Sequence, residues 1–243
     1  MRRIGEVWTA FTSGPTYPAE PGDLRTIGLA GLRLPVRASV AIAVVTFALL
    51  FDRAGTFIPR EISDAGRTPG TLLAIAVERF VLFGLVPLTV VLLAFRDRPS
   101  RYGLTLGAWR WGAALAATGC VVMTPIVLWF ATVPAAREFY AQGAAPIGQL
   151  LVTNALDLSA SEFLFRGFLM LTLFRIMGPI GVLVAAMPFV FAHIGKPEIE
   201  LLSTLGGGLV YGWVTWRTRS IAWGAIAHIY IVVLVTLAAA APT

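Results

Sequence analysis

Charged residues and cysteine are scarce in this sequence of 243 residues. Charged residues make up 13% of the chain and hydrophobic residues 57%. In a soluble globular domain, charged residues make up about 25% and hydrophobic residues about 45–50%. The single cysteine, Cys120, excludes an internal disulfide framework and a cysteine-based metal site. The long apolar runs that dominate the rest of the chain are typical of a polytopic membrane protein.

Lysine is almost absent, and arginine carries the positive charge. Lys196 is the only lysine among 19 basic residues, and the net charge is +6. The arginines flank apolar segments and form no separate basic domain, so we expect no nucleic-acid partner. The arginine bias is typical of a GC-rich coding sequence and suggests a bacterial protein.

Seven apolar segments predict an all-α fold, a bundle of transmembrane helices, because each approaches the ~20 residues that cross a bilayer. They are residues 35–51, 71–95, 107–132, 147–177, 179–194, 200–216 and 221–240. The fourth is long enough to tilt or break, and the fifth is short for a full span. We predict a polar N-terminal segment at residues 1–34, without the apolar core of a cleavable signal peptide, and a transmembrane helical domain at residues 35–243.

Basic residues are distributed unevenly between the two sides of the predicted bundle. Twelve flank the segments on the side of the N-terminus, and five lie on the other side. By the positive-inside rule, this asymmetry predicts a multi-pass protein of the cell membrane with a cytoplasmic N-terminus and an external C-terminus.

Two opposite charges interrupt the fourth apolar segment, in the stretch SASEFLFRGFLM. A lone charge at mid-bilayer depth costs roughly 2.5–3.5 kcal/mol on insertion scales, so such residues usually face the bundle interior. Glu162 and Arg166 are four residues apart and can pair on one helix face. Asn154, Asp157 and Ser161 form a polar stripe leading to Glu162 and predict a hydrated cavity. The alternative is a pair that only neutralises itself and pins helices together.

Both histidines of the chain also lie in apolar segments, His193 at the end of the fifth and His228 in the seventh. One histidine in an apolar helix is more often a packing residue, but two beside a buried carboxylate favour a site. A desolvated carboxylate can act as a general base on water, and imidazoles can orient that water or donate to an oxyanion. Such a set could hydrolyse a peptide bond.

Two other chemistries are open to the same residues. Glu162, His193 and His228 could form a His2Glu zinc site with an open position, although no HExxH motif occurs. We expect no cofactor, with zinc as the alternative. A nucleophilic Ser161 is disfavoured because no GxSxG motif surrounds it.

The stretches SEFLFRG and FVFAH and the later intramembrane histidine resemble the CAAX protease and bacteriocin-processing (CPBP, or Abi) family of intramembrane proteases. That family has two adjacent glutamates followed by Arg-Gly, then Phe-x-x-x-His, then a histidine with Asn or Asp four residues later. Glu162 aligns with the second glutamate and is followed by Arg166 and Gly167, His193 fits the second motif, and His228 opens the third. The resemblance covers about residues 100–240.

This resemblance implies an intramembrane endopeptidase in which a glutamate-activated water cuts a peptide or protein substrate associated with the lipid bilayer. The implied catalytic residues are Glu162, His193 and His228, with Arg166 holding or tuning the carboxylate. In a bacterial chain, we expect bacteriocin-type leaders or sorting-signal tails as substrates.

Two positions depart from the family pattern. Ser161 stands where the family has its first glutamate, usually assigned as the base, and Val232 stands at the Asn or Asp position. Asp157, Glu198 or Glu200 could supply the missing carboxylate, with Ser161 in a supporting role. One alternative is an inactive family member that acts as a membrane scaffold or partner-binding protein. Another is a small transporter or channel subunit with a polar path beside the fourth helix.

Overall fold

The structure, a computed structural model, describes residues 14–55, 57–58 and 66–242. Within these residues the chain is a bundle of helices with one short antiparallel hairpin, which confirms the predicted all-α class. The hairpin pairs β1 (Thr26–Leu29) with β2 (Leu32–Pro35) and follows a single helical turn, α1 (Pro21–Leu24).

Within the described residues, ten further α-helices follow in chain order. They are α2 (Val36–Ala54), α3 (Pro69–Arg79), α4 (Val86–Thr89), α5 (Trp109–Phe130), α6 (Pro134–Ala141), α7 (Ile147–Glu162), α8 (Leu171–Met177), α9 (Ile180–Phe191), α10 (Glu198–Thr218) and α11 (Ala222–Ala240). The π-helical segments Phe80–Leu85 and Val90–Ala94 extend α3 and α4 into one rod, a third π segment, Phe163–Met170, joins α7 to α8, and Pro99–Tyr102 is a 3-10 turn.

Local sequence explains where several of these helices begin and end. The Thr68 hydroxyl accepts a backbone hydrogen bond at the start of α3, and Pro69 occupies the first helical position. Gly55 ends α2 in the left-handed conformation, with φ of 61°. Pro197 precedes α10, whose first turn carries Glu198. Acidic residues there favour a helix start because they face the positive end of the helix dipole.

All seven predicted apolar segments coincide with helices of the structure. By length and composition, three helical rods of the described chain are suited to cross a membrane: Pro69–Ala94, Trp109–Phe130 and Ala222–Ala240. The helix α9 is apolar but shorter, at 12 residues. Membrane crossing by the other segments, and the proposed boundary at residue 35, stay predictions.

The fourth predicted segment changes its helical form in the middle. After Glu162 the chain continues as the π segment Phe163–Met170, in which every residue is buried. This segment packs against α2, α9 and α10, and its aromatic side chains form the centre of the main apolar cluster. Since π segments within α-helices often occur at functional sites, this is the first structural indication of where a site lies.

A network of charges closes the bundle on the side of the N-terminus. The Arg37 guanidinium lies 2.8 Å from Asp23 and 3.1 Å from Asp97, and Arg101 contacts the same two carboxylates at 2.9 and 2.6 Å. The network therefore ties α1, α2 and the loop after Ala94 together.

Contacts at the opposite end join the loops of the other predicted side. Arg53 donates to the carbonyl of Ile194 at 3.4 Å, and Arg67 donates to that of Phe139 at 3.1 Å. These contacts join loops that the sequence assigns to one side, whereas the two-sided topology and its orientation in the membrane stay predictions.

We expect the network to stabilise the fold in a pH-dependent way through Asp23. Burial acts to raise the pKa of this carboxyl, but hydrogen bonds from the Glu20 backbone, Arg37 and Arg101 hold it below its ordinary value. The stabilisation is therefore present above the ordinary pKa of about 3.9 and is lost as the pH falls through the lower folded-state pKa. The variant Asp23→Asn should have a lower thermal midpoint than the wild type in detergent at pH 7, and the difference should shrink below about pH 4.

The control for this experiment is Glu138→Gln, which alters an exposed carboxylate on α6. A constant difference between Asp23→Asn and the wild type from pH 7 to pH 3 would contradict the assignment.

A second prediction concerns the glycine after Arg166. A Cβ added to Gly167 would overlap the carbonyl oxygen of the fully buried Tyr102 and approach the Phe163 ring at 2.8 Å. Gly167→Ala should therefore lower the free energy of unfolding by about 1–3 kcal/mol, as overpacking usually does. In contrast, a Cβ at Gly119 within α5 has no heavy atom within 4 Å, so Gly119→Ala should be neutral or stabilising by up to about 1 kcal/mol. Denaturant titration in detergent compares the two, and equal effects would contradict the packing argument.

Candidate active site

A buried carboxylate joins the fourth helical rod to the last helix. Glu162, at the end of α7, has no exposed surface. Its Oε1 lies 3.0 Å from Nδ1 of His228 and 3.4 Å from Nη1 of Arg166. A carboxylate only accepts hydrogen bonds, so Nδ1 of His228 is the donor, and the Nε2 atom is left for other partners. The predicted pairing of Glu162 with Arg166 is present.

The Arg166 guanidinium is enclosed by aromatic rings as well as by the carboxylate. Its Cζ lies 3.7 Å from the centre of the Phe189 ring and 5.5 Å from that of Tyr211. Within the described residues its two Nη atoms make no hydrogen bond. The faces of aromatic rings attract cations, so Glu162 and the two rings together compensate the buried positive charge.

Helix α9 positions the other histidine through the Phe-x-x-x-His spacing. The Nδ1 atom of His193 lies 2.8 Å from the carbonyl oxygen of Phe189, four residues earlier. The Phe189 ring lies 4.4 Å from the His193 ring and 6.1 Å from the His228 ring, centre to centre. The Tyr211 ring stacks on His228 at 5.1 Å. The Phe189 ring therefore lies next to the rings of both histidines.

Both histidines line one cavity of about 170 Å³. The polar stripe predicted on the fourth helix, Asn154, Asp157 and Ser161, lines the same cavity, as do Val232, Arg79 and Lys196. Glu162 does not line it, because this carboxylate lies behind His228. The structure thus brings the histidines and the stripe to one space, and Glu162 contacts His228 at the edge of that space without lining it.

Of the residues predicted to support the site, Ser161 and Asp157 contact each other, whereas Glu198 lies elsewhere. The Ser161 hydroxyl lies 3.4 Å from Oδ1 of Asp157, and Asp157 pairs with Arg79 at 3.1 Å. Glu198 is exposed at the start of α10 and does not line the cavity.

The geometry does not fit the alternative zinc site. Among the residues that the structure describes, no three His, Cys, Asp or Glu side chains are grouped as metal ligands. Glu162 is engaged by His228 and Arg166 and does not line the cavity that the two histidines share. We therefore derive no step through a metal ion.

Three polar side chains form a further cluster beside the cavity, and of these the sequence analysis gave only Glu200 a possible role in the site. The Tyr140 hydroxyl donates to Glu200 at 2.6 Å, and Lys196 contacts Glu200 at 2.8 Å and Tyr140 at 3.1 Å. Burial raises the pKa of Tyr140 to about 12, so its hydroxyl remains a donor at neutral pH. The four-residue spacing of Lys196 and Glu200 is the one sequence signal that pointed to this pairing.

Tyr211 was also missed, for a different reason. An aromatic residue in an apolar helix is ordinarily a packing residue, and nothing in the stretch GGGLVYGW distinguishes this tyrosine. Its place against His228 and Arg166 follows from the way α10 packs beside α11 and the π segment.

Comparison with known proteins agrees with this geometry. The described residues thus form a polar cavity with a carboxylate–histidine pair beside it, inside an apolar bundle. Residues 143–234 match the family model described as Rce1-like, type II CAAX prenyl endopeptidase Rce1-like. The match supports the resemblance to the CPBP family that the sequence motifs indicate. No curated protein and no solved structure matches the chain.

The buried charge pair yields a prediction for stability. Glu162→Gln removes the only carboxylate within 4 Å of Arg166 in the described chain. Breaking a buried ion pair on one side typically costs about 3–5 kcal/mol, and we expect a loss of this size in denaturant unfolding. The double variant Glu162→Gln/Arg166→Met should recover most of the loss, since no unpaired charge remains.

The control here is Glu198→Gln on the exposed start of α10, which should change the unfolding free energy by less than about 0.5 kcal/mol. If Glu162→Gln were as mild as this control, the charge pair would not stabilise the fold.

Proposed function

We propose that the protein is an endopeptidase that hydrolyses a peptide bond of a membrane-associated peptide or protein in the cavity lined by His193 and His228. The observation that carries the proposal is the 3.0 Å contact between Glu162 and His228 beside that cavity. It lies within the segment that matches the CAAX endopeptidase family.

In this proposal Glu162 acts through His228. The carboxylate accepts the Nδ1 hydrogen, which holds the imidazole in one orientation and stabilises positive charge on the ring, as the carboxylate of a Ser-His-Asp triad does. In the charged form Nε2–H of His228 donates to the oxyanion that develops on the scissile carbonyl. Burial of Glu162 away from the cavity favours this role over direct contact with water.

His193 has a different role because its hydrogen bond is different. Its Nδ1 donates to the Phe189 carbonyl, so the Nε2 of the neutral ring accepts a hydrogen bond. A water held by this acceptor keeps a lone pair free for attack on a carbonyl carbon. Arg166 keeps Glu162 in place and does not touch the reacting atoms.

The test is cleavage by the full-length protein in proteoliposomes. The substrates are a fluorogenic library of apolar peptides and, because of the name of the matching family, a farnesylated CAAX peptide. We expect wild-type cleavage that survives a chelator, and losses of about 100-fold or more for His193→Ala and His228→Ala, as for the removal of an oxyanion donor or a proton-transfer group. Glu198→Gln should cleave like the wild type.

Other outcomes have distinct meanings. A folded wild type that cleaves none of these peptides would contradict the proposal and favour the inactive scaffold. Cleavage abolished by the chelator would overturn the metal-free route and favour zinc. Cleavage unchanged in both histidine variants would remove the cavity from the mechanism.

A further inference from the structure

The proton released by the attacking water requires an acceptor, and we propose that Asp157 is this catalytic base. This inference rests on the proposed hydrolytic function. Of the described residues that line the cavity, Asp157 is the one that carries a carboxylate. Glu162 has no exposed surface and both its neighbours are charged or donating groups, so it does not reach a water in the cavity.

Asp157 lies next to Ser161, the residue that stands where the family pattern has its first glutamate. The two residues are one helical turn apart on α7 and face the same cavity. The Ser161 hydroxyl donates to Oδ1 of Asp157 at 3.4 Å. A shorter side chain at position 161 thus leaves open the space into which a longer acid would extend, and the carboxylate of Asp157 borders that space.

Arg79 holds Asp157 at the cavity wall without using all of its hydrogen-bonding capacity. The guanidinium binds Asp52 with contacts of 2.6 and 3.1 Å, and its third nitrogen reaches the two oxygens of Asp157 at 3.1 and 3.4 Å. Two carboxylates share one guanidinium, so the group formed by Arg79, Asp52 and Asp157 has more negative than positive side chains. Asp52 has the closer contacts, and the Asp157 side chain is 21% exposed. Of the two carboxylates bound to Arg79, Asp157 is therefore the one that is held less closely and borders the cavity.

The proposed step balances with water as the only co-reactant. The water oxygen bonds to the scissile carbonyl carbon, one water proton moves to Asp157, and the carbonyl π electrons become the oxyanion that His228 stabilises. When the oxyanion collapses, the C–N bond breaks and Asp157 returns its proton to the leaving nitrogen. The products are a carboxylic acid and an amine, and Asp157 is again a carboxylate.

The experiment exchanges one carboxylate for another in the proteoliposome cleavage assay. Asp157→Asn should lose roughly 100-fold or more in kcat, the usual contribution of a general base. Asp157→Asn/Ser161→Glu should recover most of this loss, because it restores a carboxylate to the same space. The matched control is Asp52→Asn, which removes the other carboxylate bound to Arg79 but does not line the cavity. It should keep most of the wild-type rate.

Each result decides between the two proposals. Wild-type cleavage with an unimpaired Asp157→Asn would overturn the assignment of Asp157 and leave the hydrolytic function standing. Equal losses in Asp157→Asn and Asp52→Asn, with equally lowered thermal midpoints, would show that the carboxylates only hold helices together. If the double variant Asp157→Asn/Ser161→Glu folds but does not regain cleavage, the assignment of Asp157 as the catalytic base is likewise overturned. Absence of cleavage by the wild type would instead overturn the hydrolytic function itself.

Discussion

The burial of the Glu162–Arg166 pair is the constraint on which the arrangement of the bundle depends. Two opposite charges in an apolar interior lose their hydration, and their mutual attraction repays that loss only with good geometry and additional partners. These partners come from three different helices: Phe189 from α9, Tyr211 from α10 and His228 from α11. The helices must converge on the π segment to compensate the charges. The same contacts therefore pack the helices together and build the site.

Local features of the sequence were sufficient to locate the helices and part of the site. Apolar length and flanking polar residues depend only on neighbouring residues, and the seven segments were therefore found with ends within a few positions. The four-residue spacing gave the Glu162–Arg166 pair, and spacings of three and four gave the face formed by Asn154, Asp157 and Ser161. Each of these inferences needs one helix alone.

Contacts between different helices could not be predicted from the sequence. The sequence suggested Glu162 as the group that meets water, but its direction depends on His228, which lies 66 residues later. The contacts of Arg79 with Asp52 and Asp157 likewise depend on how the helices α2, α3 and α7 pack together.

The length of α9 has a consequence for the surrounding lipid. At about 1.5 Å per residue, its 12 residues extend about 18 Å, whereas the hydrocarbon core of a bilayer is about 30 Å thick. A helix of this length reaches only part of the way across a bilayer that the longer rods are suited to span. His193 and Lys196 follow shortly after its last residue. A bilayer accommodates such a hydrophobic mismatch by local thinning, so we expect the thickness of the surrounding bilayer to affect how water and lipid head groups approach these two side chains.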